Sequence, residues 1–313
     1  MRRQEITFPS AGTTCAAWHL RAADDTLHGK NGRPCVVMAH GFSGTRDTGL
    51  LGFAEGFAAA GLDVVLFDYR GFGASAGNPR QLVSYRRQRA DYRAAVRAAR
   101  SIEGVDPGRI ILWGTSYSGG HVLKIAADDP DVAAIVAMTP AVDGPATVAH
   151  LARNGGLAPI FRLAAAGVRD GLAAATRRPP WLLPAIGPSG SGAVLAKDGA
   201  QEAMAGVAGP GWRNEVCARV ALELALNRPG GSARRLQAPL LVQVGDADTV
   251  VPVRAALKVA ARAGGGAEVR RYPVDHFDVY DGPWQVRLLA DQVAFLTREL
   301  RRFHDPVMAV DPS

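Results

Sequence analysis

From residue 34 to residue 140 the chain alternates short, nearly all-apolar runs with longer amphipathic stretches, and few folds accept that rhythm. The runs are Pro34–His40, Leu62–Asp68, Arg109–Gly114 and Ala134–Met138. Runs this short, with so many β-branched residues, suit strands buried on both faces. Between them, Asp47–Ala60 places Leu50, Leu51, Ala54, Phe57 and Ala58 on one helical side, and Gly61 stops it. Arg86–Arg100 sets alanines and Val96 opposite an arginine stripe, and Ser118–Ala127 follows its strand almost without a loop. Strand, helix and strand in succession predict a parallel sheet joined by right-handed crossovers.

The alternation stops after Pro140. Residues 141–236 hold alanine-rich helical pieces, Pro179-Pro180-Trp181 and a Gly/Ser/Pro stretch at 187–192, with no strong strand. The rhythm returns with Pro239–Gly245, a helix over 253–263, Ala267–Pro273 and a last helix from Pro283 to Phe303. The expected organisation is therefore a core in two parts, 1–140 and 237–313, split by a helical cap over 141–236. At the front, Ile6–Ala22 alternates around Gly12 and reads as an antiparallel edge hairpin.

Composition narrows the function classes. With 48% hydrophobic and 21% charged residues, the 313-residue chain is too apolar for disorder. Its net charge of +7 comes from arginines spread along the chain. The densest group, Arg86, Arg89, Arg93, Arg97 and Arg100, reads as an exposed helix face, and without a recognition motif no nucleic-acid partner is expected. Cys15, Cys35 and Cys217 share no metal-ligand spacing and read as buried small apolar residues. The longest uncharged run, Pro179–Ala196, is broken by prolines and glycines, so no membrane span is expected. Met1 opens no signal-peptide pattern, and the expected location is the cytoplasm.

Gly114-Thr115-Ser116-Tyr117-Ser118-Gly119 lies between an expected strand and an expected helix. A serine on a tight strand-to-helix turn needs small residues two positions away on either side, so that the backbones can pass. Gly114 meets that need; Ser118 stands where glycine is usual, yet is still small. A serine capping a helix would give a similar pattern. The nucleophile reading requires partners, because a serine hydroxyl attacks only when an imidazole takes its proton and a carboxylate orients that imidazole. In an open parallel sheet such groups sit at strand carboxyl ends. Asp248 follows the 239–245 strand and His276 follows the last strand, giving the order Ser116, Asp248, His276. Asp246 and Asp143 are alternatives to Asp248, whereas Asp275 and Asp278 read as loop or supporting groups. His19, His28, His150 and His304 read as surface or packing residues, and His121 should point away from the serine. His40-Gly41-Phe42-Ser43-Gly44 closes the first core strand, where the amide of Phe42, with that of Tyr117, could form an oxyanion hole.

His40-Gly-Phe-Ser-Gly44, Asp68-Tyr-Arg-Gly-Phe-Gly-Ala-Ser75, the Ser116 segment, Gly245-x-x-Asp-x-x-x-Pro252 and His276-Phe277 together resemble the α/β-hydrolase superfamily. The match covers about 34–140 and 237–303 and is most similar to the bacterial branch near dienelactone hydrolases and serine peptidase-related hydrolases. The resemblance implies an α/β fold with eight mostly parallel strands, helices on both faces and a cap inserted after the sixth strand. It also implies no cofactor, and the roles just given to Ser116, Asp248, His276, Phe42 and Tyr117. Hydrolysis of a carboxylic ester through an acyl-enzyme is the leading expectation, with thioester, lactone or peptide substrates as alternatives and a non-catalytic ligand-binding role behind them. The substrate would be a small acyl compound, held in an apolar pocket to which a cap rich in Ala, Leu, Phe161, Trp181 and Trp212 contributes. No metal-ligand cluster is visible.

Overall fold

The computed structural model describes residues 3–302, less the side chain of Asn154. Phe303, the expected helix end, and His304 lie outside the described residues, as do Met1 and Arg2.

β1 (Arg3–Ser10) and β2 (Thr13–Leu20) pair antiparallel, as expected for the segment around Gly12. The alternation then runs β3 (Arg33–Ala39), α1 (Leu51–Ala59), β4 (Asp63–Phe67), α2 (Tyr85–Arg100), β5 (Val105–Thr115), α3 (Tyr117–Ala126) and β6 (Val132–Met138). Residues 139–239 leave the sheet and carry α4 (Gly144–Gly155), α5 (Leu157–Ala175), α6 (Ala200–Val207), α7 (Val220–Leu224) and a 3-10 turn over Pro229–Arg235. Strand pairing within residues 139–239 is limited to two-residue pieces, in line with the lack of strand signal there. The sheet resumes with β7 (Leu240–Gly245), α8 (Val253–Ala260), β8 (Ala267–Tyr272) and α9 (Gly282–Arg302).

The sheet has eight strands in the order β1-β2-β4-β3-β5-β6-β7-β8. From β4 to β8 all neighbours are parallel, and β2 meets β4 antiparallel. Successive residues of a strand face opposite sides. Val37, Val65, Leu112 and Val242 therefore pack under the α2–α3 layer, whereas Val36, Val64, Trp113 and Leu241 pack against Phe53 and Phe57 of α1 and Leu296 of α9. This two-sided burial is why the strands read as continuous apolar runs. The largest fully buried side chain, Trp113, donates its ring N–H to Gln292 Oε1 (2.9 Å), and Gln292 passes the bond to Gln243 and on to Tyr272. A polar side chain buried in this way is stabilising only because each member has a partner.

Two local expectations are corrected. Helix α1 starts at Leu51, not Asp47, because the Asp47 carboxylate is taken by the Thr45 hydroxyl and the Gly211 amide (3.0 Å) in a preceding turn. The arginine stripe of α2 is also not a free solvent face. Arg89 reaches Asn227 and lies over the Tyr85 ring, Arg93 bonds Asp128 (2.9 Å) and Arg100 grips Asp129 (3.0 Å), which leaves Arg86 and Arg97 exposed. All three cysteines are buried and free, as expected, and burial pushes the Cys15 and Cys217 thiols up to about 12. Among the described residues no helix is long and apolar enough to cross a membrane.

Candidate functional site

Ser116 lies between β5 and α3 with φ +52° and ψ −116°, a backbone state that side chains other than glycine rarely adopt. The turn is held by close packing. A Cβ on Gly114 would come within 2.3 Å of the Ser118 carbonyl, and one on Gly41 within 2.9 Å of Ser116 Cβ. Ser118 is tolerated because its hydroxyl is used: it donates to the His40 carbonyl and bonds the Tyr69 hydroxyl at 2.7 Å. It thereby ties the start of α3 to the end of β3.

Three residues far apart in sequence meet at this turn. His276 Nε2 is 3.0 Å from Ser116 Oγ, and His276 Nδ1 is 2.7 Å from Asp248 Oδ2. The other carboxylate oxygen of Asp248 accepts the amides of Val250 and Val251, each at 2.9 Å. All three side chains are buried. With Nδ1 donating to the carboxylate, Nε2 is left free to accept from the serine hydroxyl, the tautomer that proton abstraction requires.

The competing acids have other work. Asp143 caps α4 through the Ala146 amide (3.2 Å), and Asp246 pairs with Arg271 (2.8 Å) at the sheet edge. Asp275 binds the Thr249 amide and hydroxyl (both 3.0 Å) and the Lys197 ammonium, while Asp278 accepts the Asp275 amide (2.8 Å). Burial would raise the Asp275 carboxyl, yet Lys197 and the amides of His276 and Thr249 hold it down to about 2. Asp275 thus joins the loop of His276, the loop of Asp248 and the β6–β7 segment. The sequence gives no sign of this, since Lys197 and Asp275 share no spacing motif.

The other histidines lie elsewhere. His19 bonds the buried Asp63 (2.9 Å), His28 is exposed, and His150 bonds the Thr249 carbonyl (2.8 Å). His121 turns away from Ser116, with Nε2 on Gln88 (3.0 Å) and its ring against Tyr117. His40, at the end of β3, is buried beside Tyr69 and Phe72, and burial pushes its imidazole down to about 4.

Two clefts meet at Ser116. One is walled by His40, Phe42, Ile186, Leu195, Met204 and Phe277. The other is walled by Phe42, Tyr117, Thr147, Leu195, Leu224 and Val250. Both are mostly apolar. Phe42 and Tyr117, the expected oxyanion-hole residues, flank the serine, their rings edge to face at 6.0 Å. Phe161, Trp181 and Trp212 wall neither cleft. Phe161 is 70% exposed on α5, Trp181 is 41% exposed beneath Arg169, and Trp212 packs against the buried apolar cluster. The β6–β7 segment contributes aliphatic Ile186, Leu195, Met204 and Leu224 instead. Among the described residues no three His, Cys, Asp or Glu side chains are grouped to hold a metal ion.

Comparison with known proteins agrees with this architecture. A family model described as serine aminopeptidase, S33, matches residues 30–274. The quorum-quenching protein AidA of Acinetobacter baumannii is 36% identical over 298 residues, 94% of each chain. The thiohydrolase AneE of Aspergillus aculeatus is 39% identical over 115 residues, 37% of this chain and 36% of that one. Among solved structures, the α/β hydrolase GrgF from Penicillium superposes with a TM-score of 0.79 at 23% identity, covering 96% of this chain and all of that one (100%).

Proposed function

The chain belongs to the serine aminopeptidase S33 family of α/β hydrolases, and from that premise we propose that it cleaves a carboxylic ester through an acyl-enzyme on Ser116. The observation that carries this reading is the unbroken hydrogen-bond chain Asp248–His276–Ser116 ending on a strained turn.

In the proposed reaction Ser116 Oγ attacks the acyl carbon while His276 Nε2 takes its proton. Asp248 holds the imidazole in place and stabilises the positive charge it acquires. The amides of Phe42 and Tyr117 would receive the oxyanion, helped by the positive end of α3, and each such donor typically lowers the barrier by about 3 kcal/mol. His276 then protonates the departing alcohol, and water enters by the same route to release the acid. The two apolar clefts on either side of Ser116 suit an acyl chain and an alcohol, with residues of the β6–β7 segment acting as the cap.

A fluorophosphonate probe tests the proposal. It should label the wild-type protein at Ser116 and leave Ser116→Ala unlabelled; labelling of another serine in that variant would sink it. A second reading keeps the chemistry and makes the leaving group a thiol, supported by the likeness to a thiohydrolase over 115 residues. Aryl esters and acyl thioesters assayed side by side separate the two.

A further inference from the structure

A third cleft, of about 610 Å³ and larger than the two at Ser116, lies between α4, the 3-10 turn over Pro229–Arg235 and α8. Arg153, Arg228, Arg254, Lys258 and Arg262 line it. Arg254, Lys258 and Arg262 follow each other at four-residue steps, so they project from one face of α8 and its continuation. None of the five makes an ion pair or a side-chain hydrogen bond among the described residues. Arg219, by contrast, is matched by the buried Asp170 (2.7 Å).

Against the five cations the cleft sets two carboxylates: Asp143, which caps α4, and Asp248, which faces His276 and two amides. Five like charges around one hollow repel each other, and a ligand with several negative charges removes that repulsion. Guanidinium forks match phosphate oxygens in pairs. The cleft also adjoins the site at Ser116. Asp143, Ala146 and His150 of the α4 region and Asp248, Pro252 and Val253 around the acid loop face it, whereas Gly144, Thr147, Val250 and Val251 of the same two elements face the second acyl cleft. One wall, closed by the His150 bond to Thr249, separates the two.

We propose that this cleft binds a ligand through two or more phosphate groups. Two sources supply that chemistry: the coenzyme A portion of an acyl thioester, whose acyl end would cross the wall to Ser116, or a free nucleoside diphosphate. The first source rests on the serine reading above; the binding site itself does not.

Calorimetric titration of the Ser116→Ala protein with coenzyme A and with ADP tests the site without turnover. Both should bind at low salt and weaken as salt rises, and the Arg254→Glu/Lys258→Glu double variant should weaken them by about ten-fold or more. The altered side chains are exposed, and circular dichroism checks that the variant is folded. No binding of either compound, or equal binding by the folded double variant, overturns the proposal. A second arm assigns the source. If kcat/KM for an acyl-coenzyme A exceeds that for the same acyl group on N-acetylcysteamine, and the excess vanishes in the double variant, the phosphates belong to the substrate. If the two thioesters are equivalent while ADP binds, the ligand is a free nucleotide. A protein that binds coenzyme A but is not labelled by fluorophosphonate keeps the cleft and loses the serine reading.

Discussion

The sheet and the β6–β7 segment are built from similar amino acids by different rules. In the sheet each apolar residue has a fixed side, because strand register and pleat decide it, and Val36, Val37, Met38 and Ala39 are all fully buried. In the β6–β7 segment the apolar residues divide. Ile186 and Val216 are buried, whereas Leu157, Phe161, Val168 and Leu172 stand exposed along α5. The contrast teaches that apolar character fixes a residue's side only where packed neighbours cover it, as they do on both faces of the sheet. The candidate site draws on both regions: Ser116, Asp248 and His276 at the ends of sheet strands, and cleft walls from the segment.

The largest expected effect lies at the sheet end. Asp248→Asn should keep the fold and lower kcat on an aryl ester by about 10⁴-fold, because the amide favours the wrong imidazole tautomer. A loss below ten-fold would show that another acid serves His276. The next prediction sets the regions directly against each other. Trp113→Ala should cost about 3–5 kcal/mol in urea unfolding, whereas Phe161→Ser should stay within about 0.5 kcal/mol. Equal costs would break the comparison.

A pH effect of intermediate size belongs to the sheet. The His40 imidazole is held at about 4 in the folded protein, against 6.5 for a free histidine. A depressed value means that the unfolded chain takes up the proton first. The stability contributed by neutral His40 is therefore complete above pH 6.5 and is lost as pH falls towards 4, by up to about 3 kcal/mol. Urea unfolding of wild type and His40→Gln at pH 7 and pH 5 should show a steeper loss in the wild type. The smallest effect sharpens the boundary between the regions. Lys197→Met breaks the tie to Asp275, and a partly exposed pair of this kind contributes about 1 kcal/mol or less. KM for a long-chain ester should rise by about two- to five-fold while kcat holds, because Lys197 steadies the wall that carries Leu195. A fall in kcat with KM constant would instead place the pair in the chemistry.

Much of the sheet is legible in the sequence for the reason given above: strands buried on both faces leave continuous apolar runs. Ser116 is legible because a tight turn demands small neighbours, and His276 because it follows the last strand. The acid is less so. Asp143, Asp246 and Asp248 all follow strand ends, and only their partners in space separate a helix cap, an edge ion pair and the residue facing His276. The lining of the clefts is not legible. Phe161 and Trp181 are the bulkier apolar choices, yet which way they turn depends on contacts such as Arg169 over Trp181 and Ala218 on the Trp181 carbonyl (2.8 Å). The arginine stripe of α2 misleads for the same reason, since Asn227 and Asp128 come from distant parts of the chain.

β6 and β7 lie side by side in the sheet, although residues 139–239 separate them along the chain. A detour that departs and returns at adjacent points can be lengthened, shortened or exchanged with little disturbance to the strands beneath it. The walls such a detour supplies can therefore change while the turn at Ser116 beneath them stays as it is.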